Sequence, residues 1–417
     1  MMVMEAKEVC KGYKVTELGE IPIEWDVQSL EDLSERILVG LATSVTKYYR
    51  NSGIPIIRNL NIKKGYFDDT KMLYLDEDFC KKQRNKAVKM DDVITVHTGS
   101  NLGLTCLVPE EYNGSQTFTT LITTTKKKIL NPKYLCQHMN SYLGISEINR
   151  LQVGGGKNNL NVSDLKNYKI AIPPIEEQQK IVEILSTVDE QILNTEKLIE
   201  RTKKNKEGLV QQLLSKGIET TKFKYTELGE IPYDWEVVRL EEICTFLDGM
   251  RRPVKSSDRE KMKGDYPYYG ASGIIDWVNN YLFDEELILL AEDGENIRSR
   301  NLPIAFKVTG KCWVNNHAHV FKVTNRDRDV SDFIVYFLEK KDYTKFINGS
   351  AQPKLNQKEC RSFLIARPPY TEQKKIADIL STVDEQIEAY EQEKQKYIEL
   401  KEGLMQQLLT GKLRVTV

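Results

Sequence analysis

Three strings in this 417-residue chain invite a catalytic reading, and none completes one. Gly154, Gly155, Gly156 and Lys157 set a lysine behind glycines, but the upstream glycine of a phosphate loop and its following Ser or Thr are missing. Arg367, Pro368, Pro369 and Tyr370 have the outline of the Asn/Asp-Pro-Pro-Tyr loop that holds an amine for methylation. That loop needs an acceptor in first place, and an arginine only donates. The matching IPPI at 172–175 has no polar group at all, so both strings read as helix punctuation. His317 and His319 would share one face of a strand with Cys312 nearby, yet no second cysteine or carboxylate completes a metal set. A structural or nucleic-acid-contacting role fits the two histidines better. No Ser-His-Asp order stands out, and the four histidines His97, His138, His317 and His319 are split between two distant stretches. The expectation is no catalytic residue and no metal.

What the same stretches do offer is nucleic-acid chemistry. Between residues 250 and 269 stand Arg251, Arg252, Lys255, Arg259, Lys261 and Lys263, followed by Tyr268 and Tyr269, with three acids opposing. Cations mixed with aromatics and small residues suit phosphates. Arg58, Asn59, Lys63, Lys64 and Tyr66 form a similar group, and two polar loops carry Lys157, Asn158 and Asn159, and Gln352 and Lys354. His97, Ser100, Asn101, Arg298, Asn315, Asn316 and His317 complete the candidates; Arg, Asn, Gln and Lys are the side chains that pair with base edges in the major groove.

Bulk composition is neutral on the partner. Lys+Arg 60 against Asp+Glu 61 gives a net charge of -1, with 29% charged and 40% hydrophobic residues, as in an ordinary globular protein of two or three domains. No apolar run approaches a membrane span and the first residues do not read as a secretion signal, so a cytoplasmic location is expected. The seven cysteines stand singly, which indicates neither a disulfide framework nor a zinc knuckle.

The elements that must position the loops are organised by two echoes. TELGEIPIEWDV at 16–27 returns as TELGEIPYDWEV at 226–237, 210 residues on. PPIEEQQKIVEILSTVDEQI at 173–192 returns as PPYTEQKKIADILSTVDEQI at 368–387, 195 residues on, and the register continues through EGLVQQLL and EGLMQQLL. The chain therefore reads A-B-A′-B′, with constant frames around two different inserts at 28–172 and 238–367. Each B piece carries a heptad seam. It holds Ile181, Leu185, Val188, Ile192, Leu209 and Leu213 in the first copy, and Ile376, Leu380, Val383, Ile387, Leu404 and Leu408 in the second. Forty residues of helix make a rod of roughly 60 Å, and two copies of one seam are expected to pack on each other. The inserts read as mixed α and β: DDVITVHTGSNLGLTCLV as strand, turn and strand, NPKYLCQHMNSYL as a helix, CWVNNHAHVFKV as a strand and VSDFIVYFLEKKDYTKFI as a helix.

The repeated TELGEIP-x-x-W-x-V, the PP-x-x-EQ-x-KI…LSTVDEQI helix with EGL-x-QQLL, and the A-B-A′-B′ plan resemble the specificity subunit of type I restriction-modification systems, over essentially the whole chain. The resemblance implies an α+β architecture. Target recognition domains at 1–172 and 217–367 would be separated by spacer helices at 173–216 and 368–417, packed as an antiparallel coiled coil with a pseudo-twofold repeat. It implies a non-catalytic reader of a bipartite, asymmetric DNA target that docks two methyltransferase subunits through its helices and is joined by restriction subunits. S-adenosylmethionine would then sit on the methyltransferase and ATP with Mg on the restriction partner, none on this chain. Without partners, exposed helix faces favour self-association. Two other classes stay open here: a coiled-coil interaction scaffold that binds no DNA, and the recognition part of a fused restriction enzyme.

Overall fold

The computed structural model describes residues 11–152, 159–348 and 353–416. The chain divides into two units, one formed by residues up to 196 together with 392 onward, the other by residues 197–391. In the first unit a hairpin of Tyr13–Thr16 and Gly19–Pro22 leads to Asp26–Ser29, which pairs antiparallel with Lys169–Ile172 and so closes the insert at its base. The insert's central sheet has the order Ser34–Val39, Thr120–Thr125, Val93–Val96, Thr105–Leu107, all antiparallel. A second sheet of Gln116–Thr117, Ile54–Ile57, Leu73–Leu75 and Tyr49–Arg50 contains one parallel pair.

The second unit repeats this plan. Its hairpin is Phe223–Thr226 with Gly229–Pro232, and its base pair is Glu236–Arg239 with Leu364–Arg367. The central sheet runs Cys244–Phe246, Ala318–Val323, Leu287–Ala291, Ala305–Val308, again first, fourth, second and third in chain order. A second sheet of Gly273–Val278, Lys263–Gly270, Lys311–Val314 and Phe283–Asp284 again holds one parallel pair. Inserts unlike in sequence thus share the topology of the central sheet, while the second sheets differ in strand order and carry the parallel pair at the edge in one and in the middle in the other. Leu287–Ala291 is buried along its whole length, because helix Ser331–Lys340 packs on one face of the sheet and the second sheet's cluster lies on the other.

Three expectations need correction. NPKYLCQHMNSYL is not one helix: Pro132–Met139 ends at Asn140, whose side chain donates back to the Cys136 carbonyl at 2.8 Å, and a second helix starts at Tyr142. CWVNNHAHVFKV is not one strand but two, Lys311–Val314 and Ala318–Val323, which belong to different sheets. The chain corners at Asn315, whose side-chain Oδ1 accepts from the His317 N–H at 2.8 Å, so His317 lies in the corner and only His319 in the strand. The helix expected through residue 347 stops at Lys340, because Asp342 turns the chain by accepting from the Thr344 N–H at 2.9 Å and Tyr343 drops into the core.

The long helices span Ile175–Lys216 and Tyr370–Leu408, each starting behind its Pro-Pro. In the first unit Ile181, Leu185 and Leu408 are fully buried, Val188 nearly so, and Ile192 and Leu404 are half-buried. There Glu196 pairs with Lys394 at 2.7 Å while Ile181 and Leu185 share a cluster with Leu404 and Leu408, so the two segments run antiparallel. In the second unit Leu213, Ile376, Leu380 and Ile387 are buried and Leu209 and Val383 half-buried. Lys203 meets Glu391 at 2.7 Å there, and Leu209 and Leu213 share a cluster with Ile376 and Leu380, which gives the same antiparallel sense.

Buried contacts join the two echoes. The fully buried Trp25 donates its indole N–H to Glu177 at 3.0 Å, and Trp235 donates to Glu372 at 2.9 Å. The next residue clamps the insert. Gln178 donates to the carbonyls of Ile129 and Pro173 and accepts from the Asn131 N–H; Gln373 donates to Arg328 and Pro368 and accepts from Val330. Glycine ends each long helix against these tryptophans: Gly217 at φ +70 beside Trp235, Gly411 at φ +69 beside Trp25. A Cβ there would lie 3.3 Å from the indole in a backbone conformation that other residues resist.

Candidate nucleic-acid interface

The candidate loops gather at one end of each central sheet. In the first unit, strand Val93–Val96 runs out into a turn carrying His97, Ser100 and Asn101. The His97 Nδ1–H donates to the Leu160 carbonyl at 2.6 Å, Thr98 bridges to Asn159, and Asn59 Nδ2 reaches the Thr98 carbonyl at 3.5 Å. Ser100, Asn101 and Asn159 are exposed around that centre. In the second unit, Leu287–Ala291 runs out into the matching turn, where Asp293 bridges to Lys354 and the Leu355 N–H donates to the Glu292 carbonyl at 2.7 Å. Thr98 and Asp293 are 195 residues apart, as are Asn159 and Lys354, so the turns hold the same register as the long helices.

A buried charge network stiffens the second turn. His319 places Nδ1 on Asp248 at 2.7 Å and Nε2 on the Leu355 carbonyl at 2.8 Å. Arg251 donates to Glu292 at 2.6 Å and to the Ala318 carbonyl at 2.7 Å, and lies 3.4 Å from Asp248. Burial would raise the carboxyl of Asp248, but hydrogen bonds from His319 and the Val320 N–H, with the charge of Arg251, hold it below its ordinary value. Glu292 is lowered likewise, with burial outweighed by Arg251, His319 and Lys354. Against the expectation that no carboxylate joins the histidines, Asp248 and Glu292, distant in sequence, come close enough to His319 to hold a cation, yet the guanidinium already supplies the positive charge and both imidazole nitrogens are hydrogen-bonded. The network is structural.

The remaining candidates sort by exposure. Arg252 and Asn316 are exposed, and half-exposed His317 holds Asp293 through Nδ1 at 2.9 Å. Lys354 is half-exposed beside Glu292 at 3.1 Å, and exposed Arg298 sits on the short helix that follows the turn. Arg251 and Asn315 are instead held inside, while Tyr268 is 1% exposed, accepts from the Val254 N–H and packs under Arg259. Tyr269 is half-buried against Phe306. Arg58 reaches the Lys71 carbonyl. Lys63, Lys64 and Tyr66 form a separate turn against strand Thr105–Leu107, with Lys63 3.5 Å from Asp68, Lys64 4.0 Å from Glu402 and Tyr66 60% exposed. Lys157, Asn158 and Gln352 lie outside the described residues. Sequence reasoning passed over Trp277, 49% exposed beside Ile274 and Ile275 on the hairpin that carries Lys263; exposed apolar residues within a basic segment were its only signal.

A repeated pair of polar turns, each standing on a central sheet and the second carrying Arg252 and Lys354, is the arrangement of a two-part nucleic-acid reader. The chain belongs to the type I restriction-modification DNA specificity family, whose sequence profile it matches at residues 22–204 and 232–400. Its function is that of a specificity subunit of such a system, with two DNA target recognition domains. It is similar to the putative type I restriction enzyme MjaX specificity subunit of Methanocaldococcus jannaschii, with 29% identity over 97% of both chains. The MjaVIII specificity subunit of the same organism is 27% identical over 95% of this chain and 94% of that one. In fold it is similar to the crystal structure of the type I S subunit from M. genitalium, with a TM-score of 0.61 and 17% identity over 92% of this chain and 96% of that one. Among the described residues no helix is long and apolar enough to cross a membrane.

Proposed function

We propose that this chain reads two different half-sites of one asymmetric DNA target, one with each turn cluster, and performs no chemistry itself. The observation that carries this reading is the shared register of the two turns, one framed by Thr98 and Asn159 and the other by Asp293 and Lys354, around unlike side chains. Turns in matched register fix where a base edge is met, and different residues decide which base is accepted. In this reading Ser100, Asn101 and Asn159 serve the first half-site, and Arg252, Asn316, His317 and Lys354 the second. Two methyltransferase subunits join the chain and bring S-adenosylmethionine, restriction subunits bring ATP and Mg, and the assembly works in the cytoplasm. The test is adenine-methylation mapping in cells expressing the chain with its methyltransferase partner, against cells lacking the chain. A bipartite motif with a fixed gap that appears only with the chain is expected; methylation indifferent to the chain would return it to a scaffold role.

A further inference from the structure

An apolar edge interrupts the polar reading surface of the second unit. Strands Lys263–Gly270 and Gly273–Val278 form a two-stranded ribbon at the edge of the second sheet, turned tightly at Ala271 and Ser272. On the outer strand Ile274 is 46% exposed, Ile275 54% and Trp277 49%. Three large apolar side chains left open on one strand call for an apolar contact that the free chain does not make.

The fold aims Ile275 in particular. Tyr268 pairs with Asp276 and Tyr269 with Ile274, so Ile275 is the extra residue of a bulge, a device that redirects a side chain. It turns over Gly270, where a Cβ would lie 3.0 Å from the Ile275 Cγ2 and 3.7 Å from the Asn315 Nδ2. Glycine thus leaves the room that brings Ile275 beside the corner carrying Asn316 and His317. The ribbon's tip is tied to the same surface, because Asn296, on the short helix after the second turn, donates to the Ser272 hydroxyl at 3.1 Å.

The surroundings favour DNA over a protein partner. Asp276, the acid next to Ile275, is neutralised by Lys263 at 2.6 Å and Arg259 at 2.9 Å, while Arg252, Lys255 and Lys261 stand exposed on the segment that leads into the ribbon. A two-stranded ribbon fits the major groove of B-DNA, and the apolar group displayed there is the C5-methyl of thymine.

We infer that Ile275, with Ile274 beside it, receives the C5-methyl group of one thymine in the second half-site. The inference rests on the two-half-site reading and adds a specificity-determining residue to it. In the first unit the corresponding strands, Ile54–Ile57 and Leu73–Leu75, are joined by residues 58–72 instead of a tight turn, so the methyl contact falls on the second half-site alone.

The experiment measures binding of the full chain, in its methyltransferase complex, to duplexes of the methylation-mapped target. Thymines of each half-site are replaced one at a time by deoxyuridine, which removes only the methyl group. Wild type is expected to lose about fourfold at one position of the second half-site, the worth of one buried methyl-sized group. I275A should bind the thymine duplex about as weakly as wild type binds the deoxyuridine one and show no further loss on substitution, while I275V should keep most of the discrimination. Both variants should answer deoxyuridine in the first half-site as wild type does, which separates the contact from a general loss of folding. Deoxyuridine without effect throughout the second half-site, or discrimination that persists in I275A, would overturn the methyl contact and leave the two-half-site reading standing. Wild-type binding indifferent to the sequence of both half-sites would overturn that reading as well.

Discussion

Asp189 accepts a hydrogen bond from Gln137 at 2.7 Å and pairs with Lys401 at 2.6 Å, so one carboxylate ties an insert helix to both long helices. Its repeat, Asp384, does the same with Tyr336 at 2.7 Å and Lys206 at 2.5 Å. Lys206 and Lys401 fall on the heptad seam, where a charged pair specifies which register and direction of the partner helix is accepted. Reversal in D189K sets two lysines together in the first unit and should cost about 1–2 kcal/mol, between the values for exposed and buried pairs because Asp189 is 40% exposed. Adding K401D should restore most of the loss. Urea denaturation of the single and double variants checks this, and a swap no more stable than D189K would assign the pair no role in register.

The contacts of Trp25 and Trp235 predict unit-local damage. W25F keeps most of the buried ring but removes the indole donor from Glu177, which still holds Arg414 at 2.8 Å. A lost hydrogen bond to a charged group costs about 1–3 kcal/mol, and W25A should cost about 3–5 kcal/mol through the cavity it leaves. Hydrogen exchange should quicken in residues 11–152 and not in 223–340. W235F should show the reverse. Equal effects in both regions from either variant would mean that the units do not open separately.

Much of this architecture is visible in the sequence because the frame occurs twice, giving two independent samples of each motif. The Pro-Pro stops and the heptad seams lie where the echoes put them. What the sequence conceals is pairing across distance. Arg251 has the composition of a phosphate ligand, but its acid partner Glu292 arrives from 41 residues away, and nothing local marks it. Tyr268 reads as an aromatic in a basic loop, whereas its strand faces a core completed by Trp313. The run from Cys312 to Val323 alternates like one strand because alternation survives the corner at Asn315, where the chain changes sheets. Glu177 and Gln178 repeat as Glu372 and Gln373 alongside a repeated tryptophan, but nothing local marks the contacts they make.

Acid should loosen the first unit before the second. His138 is buried with Nδ1 2.8 Å from the Tyr168 hydroxyl, and burial pushes its pKa from 6.5 down to about 4. As pH falls from 6.5 the unfolded imidazole takes a proton that the folded one refuses, so stability is full above that value and declines until about pH 4. The loss is on the order of 3 kcal/mol. In the second unit Asp248 and Glu292 are depressed, so their contribution persists to lower pH and is lost only as pH falls from the ordinary carboxylate range through the depressed values. H138Q should flatten the decline between pH 6.5 and 4, read by denaturant midpoints across that range. An unchanged slope in H138Q would mean that the ring is not the group responsible.

Division of labour between the two turns gives the sharpest test of the reading surface. Asn101 stands exposed on the first turn and Asn316 on the corner beside the second, each able to offer an amide donor and acceptor to a base edge. N101A should relax one half of the methylated motif and leave the other intact, and N316A should do the converse. A lost base contact is worth about 1–3 kcal/mol, so tolerance at a single base position should rise by about tenfold or more. Arg252 is exposed with its backbone fixed, its N–H on the Val314 carbonyl and its carbonyl accepting from Trp313. A phosphate contact carries no sequence, so R252A should weaken all targets alike and lower the slope of log affinity against log salt by about 1. Binding titrations at several salt concentrations, set beside methylation maps of the same variants, separate the two roles. If N101A and N316A degrade both half-sites together, the turns are not independent readers, and the placement of sequence recognition at these sheet ends fails.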